Sequence, residues 1–193
     1  MHITHGYHTV RDTEDPDKIE RDAPFKCTRS DAWLSEGYYF WEKDLERAHQ
    51  WGKGAYKQRE GVDYVILRAE LTLARMLDLV GDPEHQKFMR DMVNVMRQED
   101  PTWRASNQDP PLGTILALLR LRASKSQAAL FPYDSVRGQD HPKPTQHRFV
   151  RRRQPDNGSD NLIDLNPRVQ ICVFHKSAAT LQNVRIVFPE HYV

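Results

Sequence analysis

Three groups of side chains in this sequence have types and spacings that suit chemistry. Histidines recur every third residue at His2, His5 and His8, and an imidazole can bind a metal or carry a proton. An aromatic run at residues 38–41 could stack on a planar ligand. Residues 137–153 hold six basic side chains against one acidic side chain, which suits phosphate groups. The chemistry available to each group depends on the elements that position it.

The histidine spacing does not favour a metal site. Alternating residues over 1–10 predict a short strand. In a strand, positions three apart point to opposite faces, so the three imidazoles do not converge on one ion. The only cysteines, Cys27 and Cys172, lack the CxxC spacing of a metal site, and we expect two ordinary thiols rather than a disulfide framework. We therefore assign no metal.

Length and composition indicate one domain without a dominant charge. The chain has 193 residues, of which 28 are Lys or Arg and 27 are Asp or Glu. That balance excludes a strongly basic nucleic-acid coat or an acidic tail as the main function, although it leaves local patches open. No apolar run approaches the roughly 20 residues that span a bilayer, and no secretory signal pattern is visible. We expect a single domain over 1–193, in the cytoplasm, with no membrane partner.

Helical periodicity predicts three helices. Residues 44–51 place apolar side chains on one face, and Gly52 and Gly54 are expected to end that helix. Residues 83–97 begin with a proline and carry a methionine stripe that we assign to the core. Residues 112–122 form the third predicted helix.

Alternating and β-branched residues predict the strands of an α+β domain. The strand over 62–73 is expected to run into a turn near residues 76–79. A proline-containing stretch, 132–161, is expected to be a long irregular surface loop. The two C-terminal strands are expected to pair with each other. The predicted strands cover residues 1–10, 37–41, 62–73, 168–174 and 184–188.

Three segments, taken in order, resemble the ADP-ribosyltransferase fold, and in particular a set of bacterial proteins with that fold. They are His5-Gly6, the stretch 31–51 with Trp-Leu-Ser-Glu-Gly-Tyr-Tyr-Phe-Trp-Glu at its centre, and Arg168-Val-Gln-Ile-Cys-Val. The sequence departs from the set at Tyr7, where threonine is usual, and at Ser35, where glycine is usual. The resemblance covers almost the whole chain and implies split antiparallel sheets with flanking helices.

The resemblance also implies that NAD is the substrate, and it gives several residues a role. His5 would bind ribose hydroxyls, the Gly6 backbone would meet the nicotinamide carboxamide, and Tyr39 would stack on the nicotinamide ring. Alternation along the strand turns Tyr38 away from Tyr39. The implied catalytic residues are His5, Tyr39 and Gln170, and the implied cofactor-binding residues are His5, Gly6, Trp33, Leu34, Tyr38 and Tyr39.

Gln170 occupies the third position of the His-Tyr-Glu triad, where transferases of this kind carry a glutamate. That glutamate holds the ribose 2′-hydroxyl and offsets the positive charge that develops as nicotinamide leaves. A glutamine can still accept a hydrogen bond from the hydroxyl, but it brings no negative charge. Glu42, directly after the aromatic run, either supplies the missing charge or caps the next helix.

Three functional hypotheses follow. The leading one is transfer of ADP-ribose from NAD to an unidentified macromolecule, protein or nucleic acid, by a bacterial toxin or defence effector. The second is a non-catalytic module that keeps the fold and pocket and binds NAD. The third makes the basic segment 137–153 a nucleic-acid contact, with a solvated loop as its alternative.

Overall fold

A seven-stranded sheet organises the part of the chain that the structure describes. The structure is a computed structural model that describes residues 1–105, 108–125, 128–140, 146–150, 161–164, 166–177 and 179–193. The sheet order is β4-β5-β8-β2-β1-β3-β9, and β6 and β7 pair separately. The strands are β1 (His2–Arg11), β2 (Tyr38–Glu42), β3 (Tyr64–Leu73), β4 (Met76–Asp78), β5 (Ser135–Asp140), β6 (Gln146–Val150), β7 (Asn161–Asp164), β8 (Arg168–Val173) and β9 (Leu181–Phe188).

Helices cover both faces of this sheet. A π-helix, Lys53–Gln58, continues directly from the second α-helix, and short 3₁₀ turns lie at Ala128–Leu130 and Glu190–Tyr192. No helix among the described residues is both long and apolar enough to cross a membrane. The α-helices are α1 (Pro16–Asp22), α2 (Leu45–Gly52), α3 (Pro83–Glu99), α4 (Pro101–Ala105) and α5 (Leu112–Lys125).

The two halves of the sheet meet at a short junction. β1 pairs with β3 along all ten of its residues, His2↔Leu73 to Arg11↔Tyr64. It pairs with β2 at only two positions, Gly6↔Glu42 and Tyr7↔Trp41. Beyond Tyr7 the register gives no further pairs between β1 and β2, while β2 continues its pairing with β8. A gap therefore opens between the two halves.

Alternation along the strands divides the sheet into a front and a back face. We call the front face the one that carries Tyr7, Trp41 and Gln170, which the register aligns across β1, β2 and β8. Packing follows this division, because α3 and α5 cover one end of the front face and α2 covers the other, whereas α1 packs on the back. The back-face core includes Phe40 and Ile171.

The methionine stripe of α3 lies in the core, as predicted. Met89 and Met96 are buried against α5 and the front face of β5 and β8. Leu77, which the sequence pattern placed in a turn, is completely buried in the same cluster, since β4 is a strand that pairs in parallel with β5. The helix thus closes one end of the sheet.

Several predictions about the sheet are wrong. The α+β class is confirmed, with seven strands in one sheet and β6 and β7 in a second sheet, whereas the finer split-sheet arrangement stays a prediction. Residues 135–140 are a strand inside the sheet rather than part of a surface loop, and β8 pairs with β2 and β5 rather than with β9. Pairing with distant strands decides where these segments lie, because the sequence of a six-residue strand is too short to show a clear alternating pattern.

The second α-helix ends at Gly52, where the sequence pattern predicts its end, but the chain does not leave the helical conformation there. Gly52 has ordinary right-handed backbone angles, and the chain continues into the π-helix. A Cβ atom on Gly52 would lie 2.3 Å from the ring of Tyr64. The glycine is therefore required for close packing of α2 on β3 rather than for ending a helix.

At the junction between the two halves of the sheet, there is no room for a side chain at Gly6. A Cβ atom there would lie 2.7 Å from the Cβ of Phe40 on the neighbouring strand. We expect Gly6→Ala to lower the free energy of unfolding by about 1–3 kcal/mol, the usual cost of overpacking, measured by chemical denaturation. Gly54→Ala, inside the π-helix with nothing within 4 Å of the added Cβ, is the control and is expected to keep or slightly raise stability. Equal stability of both variants would contradict this packing account.

Candidate functional site

A cleft of about 720 Å³ opens on the front face of the sheet. Its floor contains Tyr7, Tyr39, Trp41 and Gln170 from three neighbouring strands. Segment 25–33 lines one side, and residues of α2 and the following turns line the other. The cleft therefore lies where the two halves of the sheet part.

Register explains why these side chains share the floor. Trp41 is the partner of Tyr7 on β1 and of Gln170 on β8, so the three lie in one row across the sheet. Tyr39, two residues before Trp41, projects from the same face. The floor therefore presents three aromatic rings and one amide to a ligand.

The amide of Gln170 is held in a fixed orientation. The indole Nε1–H of Trp33 donates a hydrogen bond to Gln170 Oε1 at 2.7 Å. Because an indole can only donate, the oxygen of the amide must be the atom that faces Trp33. The amide nitrogen of Gln170 makes no hydrogen bond within the part of the chain that the structure describes, and it remains available to a ligand as a donor.

The hydroxyl of Tyr39 is occupied by the protein backbone. It donates to Ser35 O at 2.7 Å and accepts the backbone N–H of Leu34 at 2.9 Å. Burial raises the pKa of Tyr39 above its ordinary value, so the hydroxyl stays protonated. Tyr39 therefore has a structural hydroxyl, and its ring is the part that can contact a ligand.

His8 closes the gap where β1 and β2 part. The backbone N–H of Phe25 donates to His8 Nε2 at 3.0 Å, so the proton is on Nδ1, which lies 2.8 Å from the carbonyl oxygen of Tyr39. Its burial lowers the pKa of His8 to about 4. The neutral ring thus links β1, β2 and segment 25–33, which forms one wall of the cleft.

The carboxylates around the cleft are paired with arginines. Asp31 binds Arg29 at 2.6 Å, and Glu60 binds Arg11. Asp140 lies 3.6 Å from Arg168. None of these acids is free to offset a positive charge on a ligand without losing its partner.

Arg168 is a cation that lines the cleft beside Trp41. Its guanidinium carbon lies 6.0 Å from the centre of the Trp41 ring, and its Nε atom is buried without a hydrogen-bond partner among the described residues. A buried donor without a partner is costly. The Arg168 side chain is itself only partly buried, so an anionic ligand in the cleft can approach its guanidinium.

The structure brings together three of the predicted site residues. Trp33, Tyr39 and Gln170 all line the cleft. His5 lies on the same face and its ring is 5.7 Å from that of Tyr7, but it is not part of the lining. Partial burial lowers the pKa of His5, and the nearby positive charges of Arg68 and Lys43 lower it further.

The other three predicted residues lie elsewhere. Gly6 and Tyr38 alternate with Tyr7 and Tyr39, so their side-chain positions are on the back face, where Tyr38 packs in the core. The close approach of Phe40 by itself requires a glycine at position 6. Leu34 is completely buried in the front core. These residues support the cleft from behind or beside it, and their contact with a cofactor stays a prediction.

Glu42 does not supply the charge that Gln170 lacks. It lies on the back face, where its carboxylate accepts from Arg137 Nε at 2.7 Å and lies 2.8 Å from His2 Nε2. The Arg137 guanidinium also binds Asp78 at 3.1 Å. These hydrogen bonds, against the opposing effect of burial, hold the pKa of Glu42 below its usual value. Glu42 therefore ties the strands together behind the cleft.

The structure describes only part of the basic segment 137–153. Arg137 belongs to the ion network with Glu42 and Asp78, so it is not part of a free basic surface. The other basic side chains of 137–153 lie outside the residues whose side chains the structure describes. Their contact with nucleic acid stays a prediction.

The histidines at the N-terminus separate as the strand pattern predicts. His2 and His8 lie on the back face and His5 on the front face. The described residues contain no group of three or more His, Cys, Asp and Glu side chains able to hold a metal ion. Cys27 and Cys172 are both free thiols, as expected.

Three residues of the site were missed by the sequence reasoning. Tyr7 was noted only as a departure from a family pattern, His8 only as part of the histidine repeat, and Arg168 only as the first residue of the segment that contains Gln170. Alternation along β1 and β8 would have placed Tyr7 and Arg168 on the cleft face. The role of His8 had no such signal, since it depends on the backbone of Phe25 and Tyr39.

Comparison with known proteins adds no assignment to this geometry. No family model matches the sequence, and no curated protein or solved structure is found to match it.

The buried neutral form of His8 makes stability depend on pH. The folded pKa, about 4, lies below the unfolded value of about 6.5, so the unfolded chain binds more protons between these values. This contribution is fully present above pH 6.5 and decreases as the pH falls toward 4. Between pH 7 and pH 5 we expect wild-type protein to lose about 2 kcal/mol of stability that His8→Gln does not lose.

Denaturant unfolding at several pH values measures this difference. Substitution of the exposed His175 by glutamine is the control, because it changes a histidine count without changing a buried ring. It is expected to keep the wild-type pH dependence. Parallel pH profiles for wild type and His8→Gln would show that His8 does not titrate as described.

Proposed function

We propose that this protein binds NAD in the front-face cleft and transfers ADP-ribose from it to a macromolecular acceptor. The observation that carries the proposal is the convergence of Trp33, Tyr39 and Gln170 in one cleft. These residues come from two segments of the family resemblance that lie far apart in sequence. The third segment contributes Tyr7, the residue after Gly6, to the same floor.

The chemistry of the cleft supports a dinucleotide as ligand. Aromatic rings at Tyr7, Tyr39 and Trp41 suit the planar bases, and a cleft of about 720 Å³ lies in the size range of small-molecule sites. The partly exposed guanidinium of Arg168 suits a phosphate oxygen. The free amide nitrogen of Gln170 suits a hydroxyl or carbonyl oxygen on the same ligand.

The proposed reaction breaks the bond between the nicotinamide nitrogen and C1′ of its ribose. The electron pair of that bond leaves with nicotinamide, a nucleophile of the acceptor forms a bond to C1′, and its proton passes to solvent. The ribose carbon gains positive charge on the way. Gln170 is neutral, and its oxygen already accepts the Trp33 N–H, so stabilisation of that charge is weaker than a carboxylate at this position would give.

A second candidate function, an NAD-binding module without transfer, is favoured by the pairing of the carboxylates that line the cleft. The cleft carboxylates Asp31, Glu60 and Asp140 are all engaged by arginines. Binding requires only the aromatic floor, the amide donor and Arg168. Transfer additionally requires charge stabilisation at C1′, and this requirement separates the two candidates.

Arg168 provides a test of NAD binding. We expect Arg168→Ala to weaken NAD affinity by about tenfold or more, because a charge-assisted hydrogen bond to phosphate is lost. Titration calorimetry measures the affinity, and Arg185→Ala, an exposed arginine on β9 outside the cleft lining, is the control. Affinity for NAD that is equal in both variants and wild type would place the dinucleotide elsewhere, and no binding to wild-type protein would contradict both candidate functions.

Gln170→Glu separates transfer from binding. The Trp33 N–H can donate to a carboxylate as well as to an amide, so the substitution adds charge without removing the contact. We expect release of nicotinamide from NAD to rise by about 10²-fold, on the scale of one stabilising group in an active site. Gln182→Glu, exposed on β9, is the control.

Chromatographic measurement of free nicotinamide gives three readable outcomes. Release by wild-type protein that increases in Gln170→Glu supports the transferase. Release only by Gln170→Glu supports the binding module, with the cleft correctly located. No release by either protein, despite NAD binding, contradicts the proposed position of the ribose against Gln170.

A further inference from the structure

A second cleft, of about 730 Å³, lies on the other side of the segment that walls the first. Segment 28–36 and one face of α5 form its sides. The rings of Phe131, Tyr133 and Phe174 contribute to its lining. Neither the family resemblance nor the proposed function assigns this cleft a role.

Arg120 is fixed at the base of this cleft by three contacts. Its guanidinium carbon lies 4.1 Å from the centre of the Phe174 ring. Its Nη1 atom donates to Ser35 Oγ at 3.1 Å and to Glu36 O at 2.7 Å. Both hydrogens of Nη1 are therefore used, and the plane of the guanidinium is set.

The opposite edge of the same guanidinium is unused. Nε and Nη2 of Arg120 have no hydrogen-bond partner in the described part of the chain, and neither atom is completely buried. These two atoms form the side-on pair of donors that matches the two oxygens of a carboxylate. The fixed plane means that little side-chain entropy is lost when such a group binds.

Arg120 has no ion pair within 4 Å among the described residues. The Glu36 carboxylate pairs with Lys26 and acts on the guanidinium only at longer range, while the Glu36 backbone carbonyl accepts its hydrogen bond. Partial burial lowers the pKa of Arg120, but arginine stays charged at neutral pH. A half-buried cation without an anion in direct contact is an energetic cost that a bound anion would reduce.

We propose that this second cleft binds a carboxylate, held side-on by Nε and Nη2 of Arg120. The apolar part of the ligand lies against Leu121 and Tyr133, which line the cleft beside the guanidinium. Hydroxyl groups at the rim add further hydrogen bonds. They belong to Thr28, Ser30, Thr114 and Ser124.

This proposal is independent of NAD. The two clefts share residues of segment 28–36, including Arg29, but Arg120 lines only the second one. The carboxylate has two possible sources, a free small acid or an acidic side chain of a bound peptide. The test below separates them.

Titration of isotope-labelled protein with benzoate, followed by NMR, measures the binding of a simple carboxylate. We expect shifts in residues that line the second cleft, and none of comparable size with benzamide, which has the same shape without the charge. Arg120→Lys keeps the charge but loses the side-on pair, and it is expected to weaken benzoate binding by about tenfold. Arg122→Lys on the same helix, whose arginine pairs with Glu99, is expected to bind benzoate like wild type.

A second variant keeps the test valid if Arg120→Lys is unstable. Leu121→Glu places a negative charge at an exposed position of the cleft, since Leu121 is 50% exposed. It is expected to weaken benzoate binding, whereas Ile3→Glu, at a position that is 66% exposed on β1, leaves it unchanged. Benzoate binding that is insensitive to both Arg120→Lys and Leu121→Glu would overturn the proposal.

Two blocked peptides distinguish the sources of the carboxylate. Acetyl-Gly-Glu-Gly-amide that shifts the same resonances as benzoate, with no effect of the glutamine peptide, identifies an acidic side chain as the ligand. Benzoate binding without peptide binding identifies a small acid. Binding of neither probe, or equal binding of inorganic phosphate and benzoate, overturns the assignment of a carboxylate site.

Discussion

The junction between β1 and β2 is the constraint on which the rest of the structure depends. Only two register pairs, Gly6↔Glu42 and Tyr7↔Trp41, join the two halves of the sheet. Gly6 allows the close approach of Phe40 at that point, and behind it Glu42 and Arg137 tie β2 to β5. Because the strands part directly after the junction, the front face opens into a cleft without any break in the sheet. A site between packed halves can thus have a rigid floor, which suits the positioning of a ligand.

Where β1 and β2 stop pairing, contacts of polar side chains replace the hydrogen bonds between the two strands. His8 satisfies the carbonyl of Tyr39 on one side and the amide of Phe25 on the other. The Tyr39 hydroxyl fixes the backbone at Leu34 and Ser35, and Trp33 fixes the amide of Gln170. Buried polar groups need such partners, since an unpaired donor or acceptor costs about 1–3 kcal/mol. Segment 25–36 is therefore held by the same side chains that form the cleft, and through Ser35 and Glu36 it also fixes Arg120 in the second cleft.

Patterns of local sequence predicted the elements better than their pairing. The long strands β1 and β3 and the helices α3 and α5 follow from periodicity, because each has enough residues for a pattern to repeat. The short strands β4 and β5 carry no such repeat, and their place in the sheet comes from contacts with β8 and with each other. Gly52 is a further example. A glycine is needed there because the ring of Tyr64 leaves no room for a side chain, and this contact is not visible in the local sequence.

The sequence by itself determined the α+β class, the aromatic strand and the face on which its residues lie, because side chains alternate along any strand. It also determined that Gln170 brings no charge to its position. Only the tertiary structure decided that Trp33 and Gln170 touch, that Glu42 is turned away to Arg137, and that Arg168 lies over the floor without a partner for its Nε. The physical reason is that these contacts join residues about 95 to 137 positions apart in sequence or depend on strand register. No local pattern encodes which distant partner satisfies a buried polar group.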